Sequence, residues 1–370
     1  VDPGLGFYID DVYIARQGVN NFSLFDVERV EVLRGPQGTL YGRNTNAGAI
    51  KIISKKPSEE FELKGELSYG RFDRHNTKLS INGALSDKAF VRATVLREKG
   101  NGYIENRGTG KDVNDKDVLG MRLQARLLPT DDVTVDLSFD WSESDAAGLY
   151  AKDVLGVTRP FDGEFFKTDS SINTQNIGKA WGVGANISWD INDTTTFQSI
   201  TSWRNTFQSW NLDLTDQPVS IFNLYTINDS DQLSQEFKFN GTMADDRLEY
   251  VAGLFYFKED SYSFIGDEIN LYFGPGARLP LPFFSRDYDV DVTSYAAFAE
   301  ATYSFTDDLR MIVGGRITRD EKELEIVHKV AGTPGLVSNG PIVDWDSSTL
   351  RGLGTPTEQV FEQFTPRLGL

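Results

Sequence analysis

Few side chains in this 370-residue sequence are of the kinds that perform covalent or metal chemistry. There is no cysteine, and the two histidines, His75 and His328, lie far apart. That removes thiolate nucleophiles, disulfides and cysteine zinc sites, and leaves nothing for a histidine metal set or a Ser-His-Asp triad. Asp10 and Asp11 are adjacent in a β-like stretch, where neighbouring side chains point to opposite faces. They should not converge as a glycosidase or metal pair requires, and a turn or strand end is their expected place. Gly35, Gly38 and Gly42 do not spell G-x-G-x-x-G, and Arg43 follows Gly42 where a phosphate loop needs Lys-Ser/Thr. The expectation is a protein that is not an enzyme, with no catalytic set, no cofactor and no metal centre.

Charge narrows the partners. Lysine plus arginine total 37 against 55 aspartate plus glutamate, for a net charge of -18. A phosphate-backbone binder needs a basic face, so no nucleic acid is expected. No apolar run reaches the length of a membrane helix. Strands cross membranes differently, in segments of about ten residues with alternating polarity and ordinary mean hydropathy.

That alternation runs through most of the chain. Leu119, Met121, Leu123, Ala125 and Leu127 alternate with Gly120, Arg122, Gln124 and Arg126. After the turn at 129–132, Val133, Val135, Leu137, Phe139 and Trp141 alternate with Thr134, Asp136, Ser138 and Asp140. The same period organises 181–189, 295–305 and 309–317, and less regularly 61–72, 77–85, 89–98, 194–204, 232–240, 247–258 and 359–370. About twelve strands are readable. Short turns near Asp87, Asp131, Asn192, Asp245 and Asp307 alternate with long polar stretches at 99–116, 143–179, 205–231, 259–292 and 320–358. Trp141, Trp181 and Tyr295 mark one end of the apolar rows, and Trp189, Tyr303 and Phe305 the other. Two aromatic belts around an apolar band fit the two interfaces of a membrane. The fold class expected is mostly β, a transmembrane antiparallel β-barrel.

The first 57 residues are different, with short β-like pieces at 6–14 and 27–33 and glycine punctuation. The run V-E-R-V-E-V-L-R-G-P-Q-G-T-L-Y-G-R-N-T-N-A-G-A-I-K-I-I-S-K-K-P, Val27 to Pro57, resembles the end of the plug domain of TonB-dependent outer-membrane receptors. F-Y-I-D-D-V resembles an earlier plug strand of that family. The residues carrying the plug motif are Arg34, Gly35, Pro36, Gly38, Tyr41, Gly42, Asn46 and Gly48. The resemblance implies residues 1–57 as the C-terminal part of a small α+β plug domain and 58–370 as the first half of the barrel. Such barrels have about 22 strands. The chain opens without methionine and stops inside a strand, so it reads as an internal fragment.

What the resemblance implies about function is energised uptake of a scarce solute across the Gram-negative outer membrane. An iron chelate such as a ferric siderophore is the first expectation, with a glycan or corrinoid as the alternative. The partners implied are outer-membrane lipid, a small-molecule ligand and a TonB-type energy-transducing protein reached through a segment before Val1. A passive porin-like channel is the rival, and the plug argues against it because a porin keeps its lumen open.

Two site expectations follow. Arg34 ends a plug strand and needs carboxylates nearby if buried. Strand parity sends Glu236 and Glu300 to the lumen, which makes Arg34, Glu236 and Glu300 a candidate plug–barrel lock. The stretch 259–292, read as a loop, carries Tyr262, Phe264, Tyr272, Phe273, Phe283 and Phe284, whose rings could stack on a ligand.

Overall fold

The computed structural model describes residues 4–16, 26–42, 44–148, 150–152, 162–272, 278–280, 283–331, 343–345 and 357–370. No helix among them is long and apolar enough to cross a membrane. Two sheets carry the fold.

The smaller sheet contains β1 (Leu5–Ile9), β2 (Val12–Tyr13), β3 (Val27–Arg34) and β4 (Gly48–Ser54) in the order β2-β1-β4-β3. β1 runs parallel to β4, while β2 and β3 are antiparallel to their neighbours. β1 and β2 fold back at Asp10 and Asp11, both with positive φ (48° and 71°), so this is a tight hairpin rather than one strand. Short polar side chains tolerate that backbone region best after glycine.

The larger sheet is an antiparallel meander in chain order. Its long strands are β5 (Glu62–Gly70), β6 (Arg74–Ser86), β7 (Ala89–Gly100), β9 (Lys116–Thr130), β10 (Val133–Ala146), β12 (Gln175–Asn192) and β13 (Thr195–Asp213). They continue with β14 (Phe222–Met243), β15 (Leu248–Tyr272), β17 (Phe283–Ser304), β18 (Arg310–Ala331) and β20 (Glu358–Gly369). Short strands β8 (Glu105–Asn106), β11 (Lys167–Thr168), β16 (Arg278–Pro280) and β19 (Val343–Trp345) lie in or beside the connections. The twelve long strands are those the alternation predicts.

Parity decides the two faces. Leu67, Leu79, Leu137, Val183, Leu233, Leu254 and Ile317 all lie on the outer face and are exposed. The inner face buries Ser80, Arg92, Arg122, Asp140, Arg204 and Ser234. An apolar exterior around a polar interior inverts a soluble core and suits a wall between lipid and lumen. On the outer face Trp141 pairs with Trp181 at one level. Trp189, Phe197 and Phe239 pair in a row at the other. Trp181 and Trp189 are eight residues apart on β12, about 27 Å of strand, which matches a bilayer's apolar thickness.

Two stretches expected as long loops are largely strand, and a third begins as strand. β13 and β14 cover most of 205–231, β15 and β17 most of 259–292, and β18 runs to Ala331. Beyond the apolar band the outer face no longer needs hydrophobic residues, and in Asp287-Tyr288-Asp289-Val290-Asp291 the aspartates share the outward parity of Tyr295, so the alternation runs in the opposite sense to that of the apolar rows. The first connection at that end, 71–73 between β5 and β6, is a tight turn.

Candidate functional site

The smaller sheet is fastened to the inner face of the wall by polar side chains at several levels. Near the short turns, Arg92 of β7 donates from Nε and Nη2 to the two oxygens of Asp26, at 2.5 and 2.7 Å. Arg92 is buried, with 3% of its side chain exposed. Its Nη1 reaches Glu62 at 3.0 Å, and Thr94 and Ser80 also donate to Asp26. Burial alone would raise the Asp26 pKa, but the bonds from Arg92, Thr94 and Ser80 outweigh it and hold the carboxyl below its ordinary range. Residues 26 and 92 lie on separate elements, and their pairing left no local pattern in the sequence.

A second tie sits at the middle of β14. Gln232 accepts from the Ala15 amide at 3.0 Å and donates to the Tyr13 carbonyl at 2.7 Å, completing an edge of the small sheet with one side chain. Tyr13 packs edge-on against Phe257 of β15, with centroids 5.6 Å apart. Phe257 is fully buried and belongs to the same apolar cluster as Tyr8, Tyr13, Ala15 and Ala49. The small sheet therefore completes its core with a residue of the wall. Further along β15, Arg16 donates to Glu259 at 2.6 Å and Ser261 at 3.2 Å.

The glycine-punctuated run builds the third contact. Gly35 and Gly42 have φ of 80° and 78°, a region that favours glycine. Between them the chain makes a helical turn, with Tyr41 N donating to Gln37 O and Gly42 N to Gly38 O. This turn presses Gly42 onto Arg316 of β18, and a Cβ there would stand 2.5 Å from the guanidinium. Arg316 lies buried between the rings of Phe255 and Phe298, with its carbon 5.6 and 5.4 Å from their centroids. Gly38 faces Thr365, and Gly48 lies so close to the Leu33 carbonyl that no side chain fits. Tyr41 accepts the Tyr8 hydroxyl at its carbonyl, 2.7 Å away. Pro36 and Asn46 are exposed.

The expected triad is not brought together. Arg34 ends edge strand β3 with an exposed side chain, and among the described residues it makes no ion pair. Glu300 does face the lumen but is taken by Arg367 of β20, at 3.1 Å. Glu236 faces the small sheet across a cavity of about 190 Å³ shared with Asp11, Lys51, Lys238, Tyr41 and Arg316. Lys51 holds Asp11 at 2.6 Å there, while Asp10 holds Ser54, so the two aspartates diverge as expected, but from a hairpin turn rather than from a strand.

Of the candidate ligand aromatics, Tyr262 and Phe264 stand on β15 rather than a loop and share the parity of outward-facing Leu254. Tyr262 donates to Asp287 at 3.1 Å. Phe284 has the inward parity and is 38% exposed. Phe273 and the side chains of Tyr272 and Phe283 fall outside the described residues. Inward-facing Ser261, Ser263, Tyr288 and Lys322 instead line a cavity of about 610 Å³ that has Arg16 of the small sheet at its edge. Lys322 lies 5.8 Å from the centroid of Phe361, another lining residue.

A polar-lined wall wrapped on one side of a small sheet, tied to it at every level, narrows the fold to plugged barrels. The TonB dependent receptor-like β-barrel family model matches residues 120–370, and the TonB-dependent receptor plug model matches residues 2–49. The chain belongs to the TonB-dependent receptor family. It is similar to the pesticin receptor of Yersinia pestis, 32% identical over 137 residues, which cover 35% of this chain and 20% of that protein. It is also similar to the catecholate siderophore receptor Fiu of Escherichia coli K12, 28% identical over 221 residues, covering 56% and 28%. Among solved structures, the ferric yersiniabactin uptake receptor FyuA of Yersinia pestis superposes with a TM-score of 0.78 at 19% identity. That match covers 99% of this chain and 53% of FyuA, so the chain spans about half the length of that relative. The siderophore receptor PiuA of Acinetobacter baumannii gives 0.67 at 14% identity, covering 97% and 54%. These likenesses place the larger sheet as outer-membrane barrel wall and the smaller as plug. The family is one of receptors and transporters.

Proposed function

We propose that the complete receptor takes up a ferric siderophore or a similar iron chelate across the outer membrane, drawing energy from a TonB-type periplasmic protein. The observation that carries this reading is the tied plug with a cavity of about 610 Å³ beside Arg16. A solute resting there touches the plug and the wall at once, so its arrival can be sensed by the element that must move. The lining mixes hydroxyls, Tyr288 and Phe361 with Lys322, Glu323 and the Glu259-paired Arg16, a set suited to a polar chelate bearing flat rings. The names of the relatives favour the same class: FyuA is named for ferric yersiniabactin, Fiu for catecholate siderophores, and PiuA is named a siderophore receptor.

A glycan or a corrinoid is the alternative within the family. A passive channel fits less well, because plug and wall share a core at Phe257 and the plug cannot leave without exposing it. The deciding experiment is growth of a strain stripped of its own iron and cobalamin receptors and expressing the complete receptor. It is supplied in turn with defined ferric chelates, cobalamin and oligosaccharides as the limiting nutrient. Growth on a ferric chelate supports the reading, and growth only on cobalamin or a glycan overturns it.

A further inference from the structure

A second, much smaller cavity of about 30 Å³ lies where the plug hairpin meets β9, β10, β12 and β13. Ile9, Asp10, Val12 and Lys56 form its plug side. On the wall side, three buried polar atoms have no hydrogen-bond partner: Arg122 Nη1, Arg204 Nε and Asn186 Oδ1. All three residues line this one cavity. Arg122 is 4% exposed and Arg204 5%. Arg204 spends Nη1 and Nη2 on the two oxygens of Asp140, at 2.8 and 2.7 Å, which leaves Nε for the cavity.

The charges do not balance. Three carboxylates surround the space, and each already has its cation. Asp10 has Lys56 at 3.2 Å, Asp136 has Arg126 at 2.7 Å, and Asp140 has Arg204. Arg122 is the fourth cation, and among the described residues it makes no ion pair. A buried guanidinium without a counter-charge is strongly unfavourable. Water satisfies its N–H groups but leaves the charge uncompensated. The orphaned Asn186 oxygen points the same way. Amide oxygen and nitrogen are assigned from their partners, and this amide has none on either atom. Turning it over costs no hydrogen bond and aims a third N–H into the cavity.

We propose that this joint binds one small inorganic anion of chloride size, held by Arg122 Nη1, Arg204 Nε and the Asn186 amide. The volume exceeds the roughly 10–15 Å³ that one water needs and is far below that of any chelate, so the site is separate from ligand binding. Because Ile9, Asp10, Val12 and Lys56 of the plug close one side of the cavity, the anion is enclosed only while the plug is seated.

The test is crystallographic, on the complete receptor crystallised with bromide in place of chloride and measured at the bromine absorption edge. The expected result is an anomalous peak within hydrogen-bond distance of both Arg122 Nη1 and Arg204 Nε, lost in Arg122→Gln, which keeps an amide but no charge. Water-like density without anomalous signal would overturn the proposal. So would a carboxylate from another part of the complete chain lying against Arg122, or a peak that persists in Arg122→Gln. In solution, the thermal midpoint of the complete receptor should be higher in chloride than in gluconate, and Arg122→Gln should erase the difference. Equal midpoints for the unaltered receptor in the two salts would count against it even if the variant failed to fold.

Discussion

The guanidinium of Arg92 grips both carboxylate oxygens of Asp26 across the seam between plug and wall, at 2.5 and 2.7 Å. This is the geometry in which an ion pair is worth most, since the arginine fork matches the carboxylate and Thr94 and Ser80 satisfy the remaining lone pairs. It also makes the pair costly to break on one side only.

Arg92→Ala in the complete receptor should therefore destabilise plug seating by about 3–5 kcal/mol, because Asp26 is left buried and uncompensated. The double change Asp26→Asn with Arg92→Ala should cost less than the sum of the singles by about 1–3 kcal/mol. Denaturant titration that reports plug and barrel separately measures both values. Additive costs would mean the two residues are not coupled.

The same pair sets an acid limit. The folded Asp26 pKa lies below that of the unfolded chain. Its contribution is therefore fully present above the unfolded value of about 3.9 and is lost as pH falls through the lower folded value. Plug seating, followed by protease sensitivity of the Asp26 segment, should be flat from neutral pH down to about 4 and weaken only below that. Asp26→Asn should remove the acid transition.

Gly42 is fixed twice, by its φ of 78° and by the Arg316 guanidinium beneath it. Gly42→Ala should cost about 1–2 kcal/mol for the left-handed backbone alone, plus the displacement of Arg316. Combining it with Arg316→Ala should recover the steric part and leave the backbone part. If Gly42→Ala has no effect on plug stability, the turn does not bear on the wall as described.

Outward Leu137 and inward Ser138 are neighbours on β10. Arginine at 137 should cost about 2–4 kcal/mol near the bilayer midplane, and arginine at 138 much less. Refolding of the complete receptor into lipid vesicles compares them. Equal costs would mean that the faces have been exchanged.

How much of this was legible in the sequence follows from the range of each interaction. Parity is local, so Leu233 and Glu236 declare their faces within a few residues, and the twelve strands follow from it. The ends of β13, β14 and β15 were hidden because polar residues such as Asn205, Asp231 and Asp260 interrupt the outward apolar row there, and Tyr262 and Phe264 consequently passed for loop residues. The glycine run announced itself because the positive φ at Gly35 and Gly42 is a local backbone demand that favours glycine. Arg34 drew attention as the charged end of the same run, yet its strand is the edge of the small sheet and its side chain is exposed. The ties that do hold the plug, Asp26 to Arg92 and Arg16 to Glu259, join residues 66 and 243 positions apart. Nothing in one sequence marks such pairs before the sheets are placed.

The central claim is energised uptake of an iron chelate past a plug that is otherwise held shut. It is tested most directly by the initial rate of radiolabelled ferric siderophore accumulation in cells carrying the complete receptor, with and without a functional TonB protein. The account predicts saturable uptake that disappears when TonB is absent, while binding of the same chelate at the cell surface persists. Uptake that is linear in concentration and indifferent to TonB would contradict it.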